Sequence, residues 1–401
     1  MVEGWNYSLL SSVCEEITSG GAAPQGDKYF INGRYPFVRV VDMGNLQGKK
    51  LMSQTRDMIN DDGAVKLRLF PKGTILFTKS GASLLLNQRA ILNEPMFVVS
   101  HIGCLIPNEN VISDWLYYWM KTVDFNVYAH ATTLPSLKLT TIKGLTIPVP
   151  PIPEQERIVA RIEELFSQLD AGVETLKKTK AQLAVYRQAT ITEAFSAENN
   201  TPNVCLSDIA QIIGGITKGR DLSGMETIEL PYLRVANVQN GYLDLSEIKT
   251  ILLRVDEKER YLLKPGDVLY TEGGDRDKLG RGTVWRGEIE DCVHQNHIFK
   301  ARIDQSKAIP EYVAFWSMST PARNYFYQKG KQSVNLASIN KTVLSALTLP
   351  LPALEKQREI VNRIDFRLSV CDSIEHTVDT ALQQAEAMRQ SILKQAFEGR
   401  L

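Results

Sequence analysis

Apolar residues recur at helical spacing along two long stretches of the chain. In the first, Ile158, Ile162, Leu165, Leu169, Val173, Leu176, Leu183 and Tyr186 follow one another at intervals of three, four or their sum. In the second, Ile360, Ile364, Leu368, Cys371, Ile374, Val378, Leu382, Ala385, Met388 and Ile392 do the same. This period predicts one amphipathic helix per stretch. Prolines crowd the entries, Pro148, Pro150, Pro151 and Pro153 before the first stripe and Pro350 and Pro352 before the second. Proline at a helix start is tolerated because that N–H has no helical partner. Each arm then runs roughly 44 residues, or about 65 Å at the helical rise, too long for a small domain to cover. The apolar stripe of each arm therefore calls for another helix, and the other arm is the obvious candidate, as an antiparallel coiled-coil pair. The alternative is that each helix packs back on its own globular part.

Outside the arms, in the globular parts, the pattern changes. Short runs rich in β-branched and aromatic residues are broken by Gly, Pro, Asn and Asp, which predicts strands and turns. The runs come in pairs. Tyr35 to Asp42 matches Leu230 to Asn237 as a strand entered through a proline, and Pro71 to Thr78 matches Lys264 to Thr271 as a turn feeding a buried strand. Ser113-Asp114-Trp115 through Trp119 matches Pro310-Glu311-Tyr312 through Trp316 as an N-capped helix, whose aromatics could stack on bases but suit core packing better. Residues 134–199 align without a gap on 336–401, with about 20 of 66 positions identical, among them Gln155/Gln357, Arg187/Arg389 and Phe195/Phe397. The fold class is therefore α+β: two mixed α/β domains and two long helices, related by a pseudo-two-fold internal repeat. The expected boundaries are 1–149, 150–199, 200–351 and 352–401.

Composition narrows the function. A hydrophobic content of 43% and a charged content of 23% suit a globular protein. The start lacks a basic segment followed by an apolar one, and no apolar run approaches bilayer length, so a cytoplasmic location is expected. Five scattered cysteines without Cys-x-x-Cys spacing suggest neither a disulfide framework nor a zinc ribbon. The net charge is zero, so any nucleic-acid face must be local. Catalytic motifs are missing. Gly214-Gly215-Ile216-Thr217-Lys218-Gly219 lacks the spacing and ending of a phosphate-binding loop, and no Gly-x-Gly-x-x-Gly follows a strand. His294 and His297 lie close in sequence, but no carboxylate or cysteine sits at ligand spacing, so no metal is expected. The chain reads as a non-catalytic binding and assembly protein.

At this point a resemblance enters. Leu145-Thr146-Ile147-Pro148-Val149-Pro150-Pro151-Ile152-Pro153-Glu154-Gln155, running into Ile158-Val159, resembles the start of the helical regions in DNA-specificity (S) subunits of type I restriction-modification systems. Leu347-Thr348-Leu349-Pro350-Leu351-Pro352 with Gln357 and Ile360-Val361, and the ending Ser391 to Gly399, are similar to the second such region. The second copy departs from the pattern in lacking the double proline. The resemblance implies two target recognition domains, each reading one half of an asymmetric bipartite site in double-stranded DNA, and helices that set the gap. It also implies partners: two methyltransferase (M) subunits docked on the helices and, through them, two restriction/translocase (R) subunits. The chain itself would need no cofactor, with S-adenosylmethionine, ATP and Mg confined to those partners. A coiled-coil adaptor that binds proteins through its heads remains the competing reading.

Sequence readout needs Arg, Lys, Asn, Gln, Ser and Thr on loops facing a groove. The loops at corresponding places in the two copies supply the candidates. In the first copy they are Thr18, Ser19, Gln25 and Lys28, then Lys79, Ser80 and Arg89, then Thr132 and Ser136. In the second they are Thr217, Lys218 and Arg220, then Thr271, Arg276, Lys278 and Arg281, then Lys329, Lys331 and Ser333, with Gln295 and Asn296 as added adenine-reading amides.

Overall fold

The computed structural model describes residues 2–46, 48–128, 135–196, 201–332 and 337–401. The chain divides into two compact units, Met1–Leu176 with Thr380–Leu401, and Lys177–Asp379. Its principal helices are α1 (Ser113–Thr122), α2 (Ile152–Ala194), α3 (Pro310–Met318), α4 (Thr320–Lys329) and α5 (Leu354–Phe397). Both long stripes thus form continuous helices of 43 and 44 residues. Among the described residues no helix is long and apolar enough to cross a membrane.

The first unit holds a sheet in the order Cys14–Ser19, Ile102–Pro107, Ile75–Thr78, Arg89–Leu92, Leu51–Met52. The second repeats its first four strands as Ala210–Gly214, Ile298–Ile303, Asp267–Thr271, Gly282–Val284. A second sheet in each unit has the same parallel pairing, Tyr35–Val38 with Met96–Val98 and Thr227–Leu233 with Val293–His294. Ile75–Thr78 and Asp267–Thr271 are buried along their whole length, as a central strand fed by a turn should be.

The proline-led strands end sooner than the sequence suggests, at Val38 and Leu233. Asp42 turns the chain: its carboxylate accepts from Arg39 N (2.7 Å) and Arg56 N (2.8 Å). Asn237 does the same for Arg234 N (2.8 Å), and its amide donates to the Asp244 and Glu247 carbonyls. An acceptor four residues past the strand offers the backbone an alternative to the ladder.

Gln155 and Gln357 join the long helices to the globular parts. Each is fully buried. Gln155 Oε1 accepts from Ile112 N (3.0 Å) and its Nε2 donates to the Asn110 and Pro150 carbonyls (2.9 and 2.8 Å). Gln357 repeats the set with Ile309 N (2.9 Å) and the Lys307 and Pro352 carbonyls (3.0 and 2.8 Å). The residues expected to cap α1 and α3 do not do so; Ile112 and Ile309 stand at the N-caps without side-chain caps, and the glutamines hold their N–H groups instead. The aromatics of these helices are core: Trp115 and Tyr312 are fully buried and bond through Nε1 and OH to the Pro148 and Pro350 carbonyls (2.9 and 2.8 Å).

Each unit contains the start of one long helix and the end of the other. In the first, Phe397 packs 4.5 Å from the Trp115 ring, and Arg389 pairs with Asp170. In the second, Phe195 lies 5.3 Å from Tyr312 and 5.2 Å from Trp316. There Lys180 pairs with Asp379 (2.6 Å), Arg187 with Asp372 (2.6 Å) and Glu375 (2.9 Å), and Arg363 donates to the Ala194 carbonyl (2.9 Å). All five cysteines are free thiols, and four are buried.

Candidate nucleic-acid interface

The site is built on one backbone frame that occurs in both units. Gly20 and Gly215 press against the neighbouring strand so closely that a Cβ would lie 2.0 Å from the Val98 carbonyl oxygen or 2.1 Å from that of His294. The next residue donates to the same carbonyl, Gly21 N to Val98 O and Ile216 N to His294 O, both at 2.8 Å. Beyond them, Lys79 N donates to His101 O (3.1 Å) and Glu272 N to His297 O (2.9 Å). The carbonyls of Lys79 and Glu272 in turn accept from Leu137 N (2.9 Å) and Ile339 N (2.8 Å). Three loops distant in sequence therefore meet at one place in each unit.

In the first unit this frame gathers Thr18 and Ser19 at the end of their strand, Lys79, Ser80, and Ser136, which bridges to Ser80. Gln25 and Lys28 lie farther along the first loop, exposed. Gln25 bonds back to Ala23 O (3.0 Å), and the Lys28 ammonium sits 4.9 Å from the Tyr29 ring centre. Arg89 does not join them. It is buried, stacked 3.6 Å over the Phe125 ring, and bonded to the Gln88 and Val123 carbonyls and Asn87 Oδ1. Burial pushes its guanidinium down to about 9, which leaves it charged and committed to the core. Thr132 lies outside the described residues.

In the second unit Gln295 and Asn296 flank the frame, with Asn296 N bonded to Ile216 O (2.9 Å), and Thr217 and Lys218 follow, exposed. Gly273–Gly274, Ala337–Ser338 and Lys331–Gln332 form a small sheet in that order, with Gly273–Gly274 next to the turn Arg276–Lys278 and Lys331 on the outer strand. Arg276 stacks 4.3 Å from the Tyr327 ring centre, and Arg281 donates to Gln239 Oε1 (3.1 Å). Lys278 pairs with Asp275, and Lys329 is exposed at the end of α4. Two candidates are not free to meet DNA. Thr271 is fully buried in its strand. Arg220 is held by a bidentate pair with Glu257 (2.9 and 2.9 Å), a bond that raises its pKa. Ser333 lies outside the described residues.

The sequence reading passed over His101 and weighed its counterpart His297 only as a metal ligand beside His294. Each stands at the hairpin corner of the frame, His101 Nδ1 2.8 Å from Ser80 Oγ and His297 Nδ1 2.7 Å from Glu272 Oε2. The signal was a histidine just before Ile102 and Ile298, visible once the strands are aligned. His294, by contrast, is a core residue, buried with Nδ1 2.9 Å from Ile298 O. Among the described residues no three His, Cys, Asp or Glu side chains gather as a metal site. Where the frames coincide the side chains differ: Lys79 against Glu272, Ser80 against Gly273, Ser100 against Asn296. The same scaffold thus presents two different faces.

Comparison with known proteins places this architecture. A model of the type I restriction modification DNA specificity domain matches residues 2–184 and again 199–384. The chain is 22% identical over 423 residues to the type I restriction enzyme EcoKI specificity subunit of Escherichia coli strain K12, covering all of this chain and 89% of that one. Its fold is shared, at 17% identity, with a chain from a structure of the type I R-M system described for complex assembly and conformational transition (TM-score 0.77; 100% and 99% of the two chains). It is shared also with the HsdS subunit from Thermoanaerobacter tengcongensis (TM-score 0.56, 17% identity; 100% and 98%). With nearly its whole length accounted for by two copies of that domain, the chain belongs to the type I restriction modification DNA specificity family.

Proposed function

We propose that this chain is the sequence-recognition subunit of a type I restriction-modification complex, and that each globular part reads one half of an asymmetric bipartite DNA site. The observation that carries this is the repeated frame with unlike side chains, since two different half-sites require one scaffold with two sets of base-reading groups. Residues 1–149 and 200–351 act as target recognition domains, and 150–199 and 352–401 as spacer helices paired as an antiparallel coiled coil. Support for that pairing comes from the ion pairs within each unit, in which residue numbers ascend along one helix as they descend along the other. Heads on one face of B-DNA sit about 34 Å apart or a multiple of it, so the paired helices fix the gap.

In this reading the chain is cytoplasmic and performs no catalysis of its own. Two methyltransferase subunits dock on it and carry S-adenosylmethionine, and two restriction/translocase subunits bring ATP and Mg. The test is a single-molecule methylome of cells expressing the chain with its neighbouring methyltransferase, against the methyltransferase alone. A new motif of two short halves around a fixed gap is expected. No new motif from a soluble, associated pair of proteins would overturn the proposal.

A further inference from the structure

The joint between long helix and globular part is closed in the first unit and open in the second. In the first, the Lys50 ammonium donates to Asp114 Oδ1 (2.5 Å) and to Glu163. Tyr118 meets Phe166 edge-on at 5.8 Å, and Arg389 lies 4.9 Å over the Phe166 ring. Burial alone would pull the Lys50 pKa down, but the two carboxylates outweigh it and leave it raised, the mark of a well-used cation.

In the repeat, Glu311 stands for Asp114, Asp365 for Glu163, Phe315 for Tyr118, Leu368 for Phe166 and Arg187 for Arg389. The lysine has no counterpart. In the first unit the Lys50 carbonyl accepts from Ile91 N (2.9 Å) of strand Arg89–Leu92; in the second, the turn Asn240-Gly241-Tyr242 meets the corresponding strand, Gly241 N donating to Gly282 O (3.0 Å). What remains is a cavity of about 810 Å³ with Glu311, Phe315, Met318, Asp365 and Leu368 on its walls, together with Arg286 and with Arg187 and Arg323, the last two committed to Asp372 and to Gln188 Oε1. Among the described residues no side-chain hydrogen bond or ion pair engages Glu311 or Asp365, and Arg286 is the cation whose charge acts on Asp365. Burial pushes the Asp365 carboxyl up; the Arg286 charge opposes this and Glu311 adds to it.

We infer that this cavity is a socket for a lysine side chain of the methyltransferase subunit, which supplies from outside the ammonium that Lys50 supplies from within the first unit. The inference rests on the proposed function. Lysine fits both halves of the lining, since its apolar stem packs on Phe315, Leu368 and Met318 while its head meets two carboxylates. A bare metal ion would gain nothing from those apolar walls. The space exceeds one side chain, so the lysine arrives on a segment of folded partner. The two docking ends are consequently unlike: one is completed by the partner and the other is complete beforehand.

The test uses the full chain with its methyltransferase subunit, cross-linked by a carbodiimide, which joins a carboxylate to a lysine amine as an amide. The expected products link Glu311 or Asp365 to a lysine of the methyltransferase subunit, at higher yield than any link from Asp114 or Glu163. In a parallel titration, Glu311→Gln with Asp365→Asn weakens one of two binding steps at least tenfold and leaves the other unchanged. Those substitutions remove no hydrogen bond, so folding is retained. A two-subunit complex that forms normally, gives no such cross-link and ignores the double substitution overturns the socket while sparing the proposed function. An unsubstituted chain that binds no methyltransferase subunit overturns both.

Discussion

Replacing Gln357 with leucine tests whether one buried amide holds the second globular part to its helix. Gln357 is fully buried, and the substitution keeps most of its volume while deleting three hydrogen bonds: from Ile309 N, and to the Lys307 and Pro352 carbonyls. Those backbone groups are left without partners where water does not replace them. At about 1 kcal/mol each, at the low end for a buried unsatisfied group, the loss is about 3 kcal/mol. That corresponds to a roughly hundredfold rise in opening. Native-state hydrogen exchange reads it directly: amides of strand Ile298–Ile303 should exchange about a hundredfold faster, with Ile309 N–H losing protection outright. Gln155→Leu should act equally on strand Ile102–Pro107, because its three bonds match within 0.1 Å. A rise below about fivefold in either strand, less than 1 kcal/mol, would refute the reasoning.

Three further outcomes are expected. Burial, with the Lys300 charge nearby, pushes His294 from 6.5 down to about 4. As pH falls from 6.5 the unfolded chain takes up a proton that the folded chain refuses until about 4, so stability drops across that window by up to ~3 kcal/mol. Denaturant midpoints at pH 7 and pH 4.5 should show the drop, and His294→Val, which copies Val98, should flatten it. Arg276→Ala with Arg281→Ala should weaken DNA binding by the assembled complex more than tenfold and reduce its salt slope by about 1 for each phosphate left without its cation; unchanged affinity at physiological salt would remove those residues from the interface. Gly215→Ala should lower stability by on the order of 3 kcal/mol, because the new methyl would meet two carbonyl oxygens at 2.1 and 2.4 Å, and thermal unfolding checks it.

The long helices were legible in the sequence because nothing competes with an unbroken period of apolar residues, and the duplication because it preserves that period without a gap. The glutamines stood out as identities, but their task did not, since it depends on carbonyls some 45 residues away. Strand ends were misjudged at Asp42 and Asn237, where a side-chain acceptor turns the backbone within a run that otherwise favours a strand. Arg89 and Thr271 were placed on the surface because a charged or hydroxyl residue next to a polar loop usually lies there. Arg89 is drawn inward by Phe125 and Val123, partners that no local pattern connects to it. His101 escaped notice because a single histidine carries no pattern of its own, and His297 was weighed only as a metal ligand beside His294. Only the shared hairpin corner makes His101 and His297 a pair.

Phe397 against Trp115 has a consequence for synthesis. The first unit is made up to Leu176, but the helix segment that covers its Trp115 face begins at Thr380, some two hundred residues later. At about 5–20 residues per second, a growing chain carries that unit unfinished for on the order of 10–40 s. The domain that leaves the ribosome first is therefore sealed last, and throughout the interval its apolar face is open to chaperones or to the wrong helix.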